Sequence, residues 1–191
     1  WKEFQYYNED AVQELVSPDS SHYDKVAIHY FIQYHLHLQL LDAVEYAHKS
    51  GIILKGDLPI GVGRHSVDTW MYPALFHMDM QAGAPPDAFA TKGQNWEFPT
   101  YNWEEMGKND YAWWRQRMEH MSNYFDAIRI DHILGFFRIW SIPQNDVEGI
   151  LGKFVPAIPL SKSDFEALGI HFDEDRLCKP FITDQILSDY F

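Results

Sequence analysis

Long stretches of helical periodicity alternate with very short apolar runs along this chain. From Asp24 to Ser50, the apolar positions Val26, Tyr30, Ile32, Tyr34, Leu36, Leu40, Leu41, Val44 and Ala47 recur at helix-like spacing, and Gly51 is a natural stop. The run Ile52-Ile53-Leu54 leads into Gly56-Asp57-Leu58-Pro59. It reads as a buried strand ending in a loop, because proline cannot continue a central ladder. A second helical pattern covers Trp103 to Tyr124, Ala127-Ile128-Arg129-Ile130 predicts the next strand, and a short helix is expected from Ser161 to Leu168, stopped by Gly169. Residues 1 to 23 are too polar to assign. Residues 61 to 103 read as one long connection with a helical turn near Ser66 to Trp70. Its aromatic density speaks against disorder, and loops of that length are usually functional.

The order helix, buried strand, long loop, helix, buried strand, long loop implies an α/β chain whose parallel strands are covered on both faces. In such folds the active face lies where the strand carboxyl ends open into loops. Charged residues at those ends are therefore the first candidates for chemistry.

Strand side chains alternate, so Arg129 and Asp131 share one side and Ile128 and Ile130 the other. With the isoleucines against helices, the charged pair faces the interior of the strand array. A charged pair there is costly to desolvate, and apolar residues often serve as well for stability. A guanidinium beside a carboxylate favours its ionised form, as a nucleophile requires. An isolated R-x-D is nevertheless often a structural bridge. Asp57, at the end of the preceding strand, is by itself a common turn or cap residue. Two strands ending in carboxylates shift the balance toward a polyol-binding or catalytic face. His132 can donate to a substrate oxygen or be a satisfied core histidine, and its residue type does not decide. Phe136 and Phe137 read as packing, and Gly135 permits a close approach.

Composition narrows the partner. A formal charge of -13 without a Lys/Arg cluster argues against nucleic acid and against an anionic membrane surface. No stretch approaches about 18 consecutive apolar residues and no charged leader precedes an apolar segment, so neither a membrane span nor a signal peptide is expected. The single Cys178 excludes an internal disulfide and fits a reducing, cytoplasmic setting. No cofactor is implied. His35 and His37 lie two apart on a helix and share no face, and the acidic stretch 171 to 176 lacks calcium-loop spacing, so no metal is expected. Seven Trp, eleven Tyr and thirteen Phe exceed what a modest core needs, and rings in polar loops suit the apolar faces of sugars.

KGDLPIGV (55 to 62), GAPPDAF (83 to 89), GQNWEFPTYNWEEM (93 to 106) and RIDHILGFFRIW (129 to 140), in that order, resemble the 4-alpha-glucanotransferases of glycoside hydrolase family 77. SVDTWMYPALF and LGKFVPAIPLS bring the resemblance closest to the plant-type cytosolic disproportionating enzymes, over nearly all the chain from Tyr23. It implies a (β/α)8 barrel that cleaves α-1,4-glucans with retention through a covalent glucosyl-enzyme. Asp131 would be the nucleophile, with Arg129 positioning it and Asp57 in the glucose pocket. Gln94 and Trp96 would form part of a flap over the acceptor side, with His132 also touching substrate. Donor and acceptor would be maltose, maltooligosaccharides or a glycogen-like polysaccharide.

Against the family pattern G-Q-N-W-G-F-P, this chain carries Glu97 for the glycine, which adds a side chain and a charge to the flap. The acid/base Glu and a later His-Asp pair of the family have no match here. The 191 residues also fall short of the roughly 250 of a complete barrel. The chain is accordingly expected to be a nucleophile-containing piece of a longer protein, inactive by itself. Residues 1–143 would be a partial catalytic barrel, and 144–191 a loop-rich segment leading into an insertion or peripheral subdomain. Two rivals remain: a non-catalytic glucan-binding fragment, and a retaining α-glucan hydrolase sharing the R-x-D strand end.

Overall fold

The computed structural model describes residues 2–157, 159–179 and 184–190 and divides into two compact units at the Pro156–Ala157 junction. In the first, helix α1 (Glu9–Leu15) is capped by the Asn8 side chain, which accepts from the Ala11 N–H. The long helix α2 (Tyr23–Lys49) ends as its glycine predicts. Gly51 takes φ 72°, its N–H donates to the His48 carbonyl, and the Ile52 N–H donates to the Ala47 carbonyl, the bonding of a Schellman turn.

That turn moves the first strand. Ile52 and Ile53 are 55% and 76% exposed, and β1 is Lys55–Leu58, with Gly56 and Leu58 buried. The Ile52 N–H is committed to the helix end and cannot enter a ladder. The expected strand at 52–54 is therefore displaced toward the carboxyl terminus. Strand β6 (Ala127–Ile130) falls where the sequence predicts and runs parallel to β1, with Asp57 opposite Arg129 and Leu58 opposite Ile130. At the start of the pair, the Asp126 carboxylate accepts from the Leu54 N–H at 2.8 Å and from His48 Nε2 at 2.9 Å, tying α2 to both strands. This draws the Asp126 pKa below the usual aspartate range, the Leu54 N–H being the main cause and His48 the second. Close approach completes the junction: a Cβ on Gly56 would lie 2.4 Å from the Phe125 ring.

The connection from 61 to 103 is not a single loop. It holds α3 (Val67–Met71), capped by Ser66, and strands β2 (Phe76–His77), β3 (Met80–Ala84), β4 (Gln94–Asn95) and β5 (Thr100–Tyr101). Of these, β3 and β4 join β7 (Ile139–Pro143) and β8 (Lys153–Val155) in a four-stranded antiparallel sheet of order β4-β3-β7-β8, and β2 pairs with β5. Strands of two to five residues have no room to show a period. Met-Gln-Ala-Gly-Ala is buried at three consecutive positions, so alternation is absent too. Because β8 pairs with β7, residues 144–156 lie with the first unit.

The expected helix from Trp103 to Tyr124 is two helices, α4 (Trp103–Gly107) and α5 (Ala112–Met121). Asp110 and Tyr111 between them have φ of 54° and 58°, which no right-handed helix accommodates. The core sits here: Leu58, Phe76, Tyr101, Met106 and Trp114 are buried together, and Trp103, Trp113, Ile128 and Phe136 pack around them. Ile128 thus packs as its strand alternation predicts. Ile130 stays 39% exposed, as does Phe137 at 73%, contrary to their expected packing roles.

The second unit contains α6 (Lys162–Ala167), α7 (Glu174–Leu177) and α8 (Asp184–Tyr190). Ser161 and Asp164 form a reciprocal capping box, and Gly169 takes φ 70° beyond the end of α6. The acidic stretch near 173 is a helix start, Asp173 accepting from the Arg176 N–H.

Candidate active site

Asp131 follows β6 directly, and its N–H donates to the Leu58 carbonyl at 3.0 Å, extending the β1–β6 ladder by one bond. Leu58 is fully buried, so the backbone of Asp131 is anchored on the core while its side chain lies in the wall of a cleft of about 680 Å3. That volume is ordinary for a small-molecule site. The other walls include Arg64, Gln81, Trp96, Glu97 and Phe98. Among the described residues the Asp131 carboxylate has no hydrogen-bond or ion-pair partner.

Arg129 does not pair with Asp131. Its Nε donates to Asp57 Oδ1 at 2.8 Å and its Nη2 to Asp57 Oδ2 at 2.5 Å, a two-point fork across the parallel register. The expected Arg129–Asp131 pairing is corrected accordingly. Residues 129 and 131 share a side of the strand, yet the guanidinium finds its carboxylate directly opposite on β1, where register brings planar fork to planar carboxylate. Both side chains are more than half exposed, so this pair contributes no more than about 1 kcal/mol to stability.

The flap residues form one cluster. Trp96 Nε1 donates to Gln94 Oε1 at 3.0 Å. The Trp96 ring stacks on Phe98 at 5.8 Å between centroids and meets His132 edge-on at 5.1 Å. His132 holds φ 47°, which turns the chain sharply after Asp131 and sets the imidazole against Trp96. Trp96 thus touches both Gln94 and His132 and shares the cleft wall with Asp131, whereas Asp57 and Arg129 pair outside that wall. The aromatic positions 96 to 103 divide: Trp96 and Phe98 line the cleft, while Tyr101 and Trp103 belong to the core.

Two positioning residues carry no legible signal in the sequence. Arg64 donates from Nη1, Nη2 and Nε to the carbonyls of Met78, Met80 and Glu97 at 2.6, 2.7 and 3.3 Å, binding the loop after β1 to the flap. Gln81, 6% exposed, presents its amide nitrogen to the carbonyls of Pro143, Gln144 and Asp146 at 3.1, 3.1 and 2.9 Å. A Cβ on Gly61 would lie 2.1 Å from the Phe98 ring, so glycine there lets the flap close onto the β1 loop. Among the described residues no group of three or more His, Cys, Asp or Glu side chains is placed to hold a metal ion, and no helix is long and apolar enough to cross a membrane.

Solved structures share the fold of this chain. An amylomaltase from Streptococcus agalactiae in complex with acarbose superposes with a TM-score of 0.71 at 28% identity, covering 95% of this chain and 37% of that one. The amylomaltase from Corynebacterium glutamicum gives 0.65 at 25% identity, covering 89% and 22%. The fold is thus a mixed α/β piece of the amylomaltase type. The chain belongs to the 4-alpha-glucanotransferase family, glycoside hydrolase family 77, whose pattern matches residues 1–174. The 4-alpha-glucanotransferase DPE2 of Oryza sativa subsp. japonica is 52% identical over 191 residues, all of this chain and 20% of the rice protein. The 4-alpha-glucanotransferase of Chlamydia pneumoniae is 38% identical over 137 residues, 72% of this chain and 25% of that protein. The chain therefore spans about a fifth to a quarter of these two relatives.

Proposed function

We propose that this chain is the nucleophile-bearing part of a 4-alpha-glucanotransferase, acting within a (β/α)8 barrel of which β1 and β6 are two strands. The observation that carries the reading is the Asp131 carboxylate, without a partner among the described residues, at a strand end in a sugar-sized cleft walled by Trp96 and Phe98. The names of the relatives support it.

In the first step Asp131 attacks the anomeric carbon of an α-1,4-glucan. A bond to the carboxylate oxygen forms as the glycosidic bond breaks, and the departing oxygen takes a proton from an acid carboxyl. In the second step an acceptor hydroxyl gives its proton to that same group and attacks the anomeric carbon, freeing Asp131. Retaining chemistry of this kind places its two carboxyls about 5–5.5 Å apart. The acid/base group is proposed to come from sequence outside these 191 residues. Arg129 is proposed to hold Asp57 and so to order the strand end that carries Asp131; Asp57, outside the wall of this cleft, would meet glucose only within the complete barrel, and His132 is proposed to contact substrate as well as Trp96.

Transfer requires that a sugar hydroxyl outcompete water for the intermediate. A flap of apolar rings over the acceptor side, built on Gln94 and Trp96, excludes solvent. Maltose, maltooligosaccharides or a glycogen-like polysaccharide serve as donor and acceptor, in the cytoplasm, without a cofactor. The test is Asp131→Asn in the full-length protein, assayed for glucose release from maltose with glycogen as acceptor. Release is expected to fall to background while the fold persists by circular dichroism. Near-normal turnover would refute the assignment.

A further inference from the structure

Within the cleft wall, Glu97 is a side chain that the local backbone disfavours. Its φ is 65°, a region open to glycine and unfavourable for L side chains. The flap imposes that conformation from both sides. The Glu97 N–H donates to Asn95 Oδ1 at 2.9 Å and its carbonyl accepts from Arg64 Nε at 3.3 Å. Asn95 is in turn held by the carbonyls of Asp146 and Val147 at 3.2 and 3.3 Å. Both bonds to residue 97 use its backbone, so glycine would satisfy them without strain.

The carboxylate does nothing for the flap itself. Among the described residues it has no hydrogen-bond or ion-pair partner, although the Arg64 guanidinium is bound to its own carbonyl. The N–H groups of that guanidinium are directed to three backbone carbonyls. What remains is an acceptor-only group on a strained backbone, sharing the cleft wall with Trp96, Phe98 and Asp131. Strain retained beside a binding site points to a role in ligand contact.

We infer that Glu97 is a specificity-determining residue that accepts hydrogen bonds from the hydroxyls of the sugar acceptor lying in the cleft beside Asp131. The inference rests on the glucanotransferase reading. A carboxylate offers two oxygens and no donor, which matches a pair of adjacent sugar hydroxyls, and its charge makes those bonds stronger than neutral ones.

The experiment uses the full-length protein and its Glu97→Gln and Glu97→Gly variants. Transfer from maltose is followed at varied glycogen concentration, and fluoride release from α-glucosyl fluoride reports formation of the glucosyl-enzyme. Acceptor KM is expected to rise about tenfold in Glu97→Gln and at least as much in Glu97→Gly. The kcat and the fluoride release should stay within about twofold, and the melting temperature of Glu97→Gly should be unchanged or higher. Acceptor KM unmoved in both variants overturns the inference, because glycine fits the backbone and a purely structural side chain would not be missed. A loss of kcat with acceptor KM unchanged also overturns it, placing the carboxylate in bond breaking instead. If the wild-type protein transfers nothing between glucans, the glucanotransferase reading and the role of Glu97 fall together. Wild-type transfer with an unmoved acceptor KM removes only the latter.

Discussion

Arg129 and Asp57 face each other across the parallel pair β1–β6, and the fork of the arginine closes on both oxygens of the aspartate at 2.8 and 2.5 Å. The bond leaves Asp131, two residues further along, free to point its carboxylate into the cleft. The carboxylate in the cleft wall and the carboxylate held by the arginine are thus separate groups at the ends of neighbouring strands, and the positively charged residue is bound to the latter.

Arg129→Lys tests that division. Lysine keeps the charge but cannot reproduce the planar two-point contact. Since the pair is exposed, the unfolding free energy in urea should change by less than about 1 kcal/mol. Transfer by the full-length enzyme should nevertheless fall at least about tenfold, because misplacement at a reacting centre costs far more than it does in stability. Parallel small losses in both would mean that the fork only joins two strands.

Trp96→Ala addresses the flap. The indole touches Gln94, Phe98 and His132 at once, and removing it opens the side of the cleft next to Asp131. The ratio of hydrolysis to transfer, read from reducing ends against product chain length, is expected to rise several-fold as water gains access. A ratio equal to that of the wild type would show that solvent is excluded by something other than this ring.

Asp126→Asn probes the junction that sets the β1–β6 register. The folded state lowers the pKa of Asp126 through the Leu54 N–H first and His48 second. A depressed carboxylate stabilises the fold above its unfolded pKa of about 3.9, and that stabilisation is lost as pH falls through the lower folded value. Urea midpoints should therefore favour the wild type at about pH 6 and converge with the variant toward about pH 2. A gap that is the same at both values would assign the effect to shape rather than charge.

Much of this arrangement was legible beforehand because it depends on neighbours in sequence. The end of α2 at Gly51, strand 127–130, the capped helix after Ser161 and the split between strand ends and loops all follow from local conformational preference. The placement of Glu97 in the flap was equally visible as a departure from a glycine pattern. That its backbone really adopts a positive φ appears only when Asn95 and Arg64 hold it from two directions.

Amino-acid order alone determined the family, the carboxylates at two strand ends and the aromatic richness of the flap, since these are carried by residue identity and short-range spacing. Tertiary structure decided that Arg129 answers Asp57 and not Asp131, that residues 61–103 hold a helix and short strands of two sheets and are not one loop, and that Trp96 and Phe98 line the cleft while Tyr101 and Trp103 belong to the core. The reason is register. Which residue lies opposite which across a ladder depends on a hydrogen-bond alignment between segments some seventy residues apart, and no periodicity within either segment encodes it.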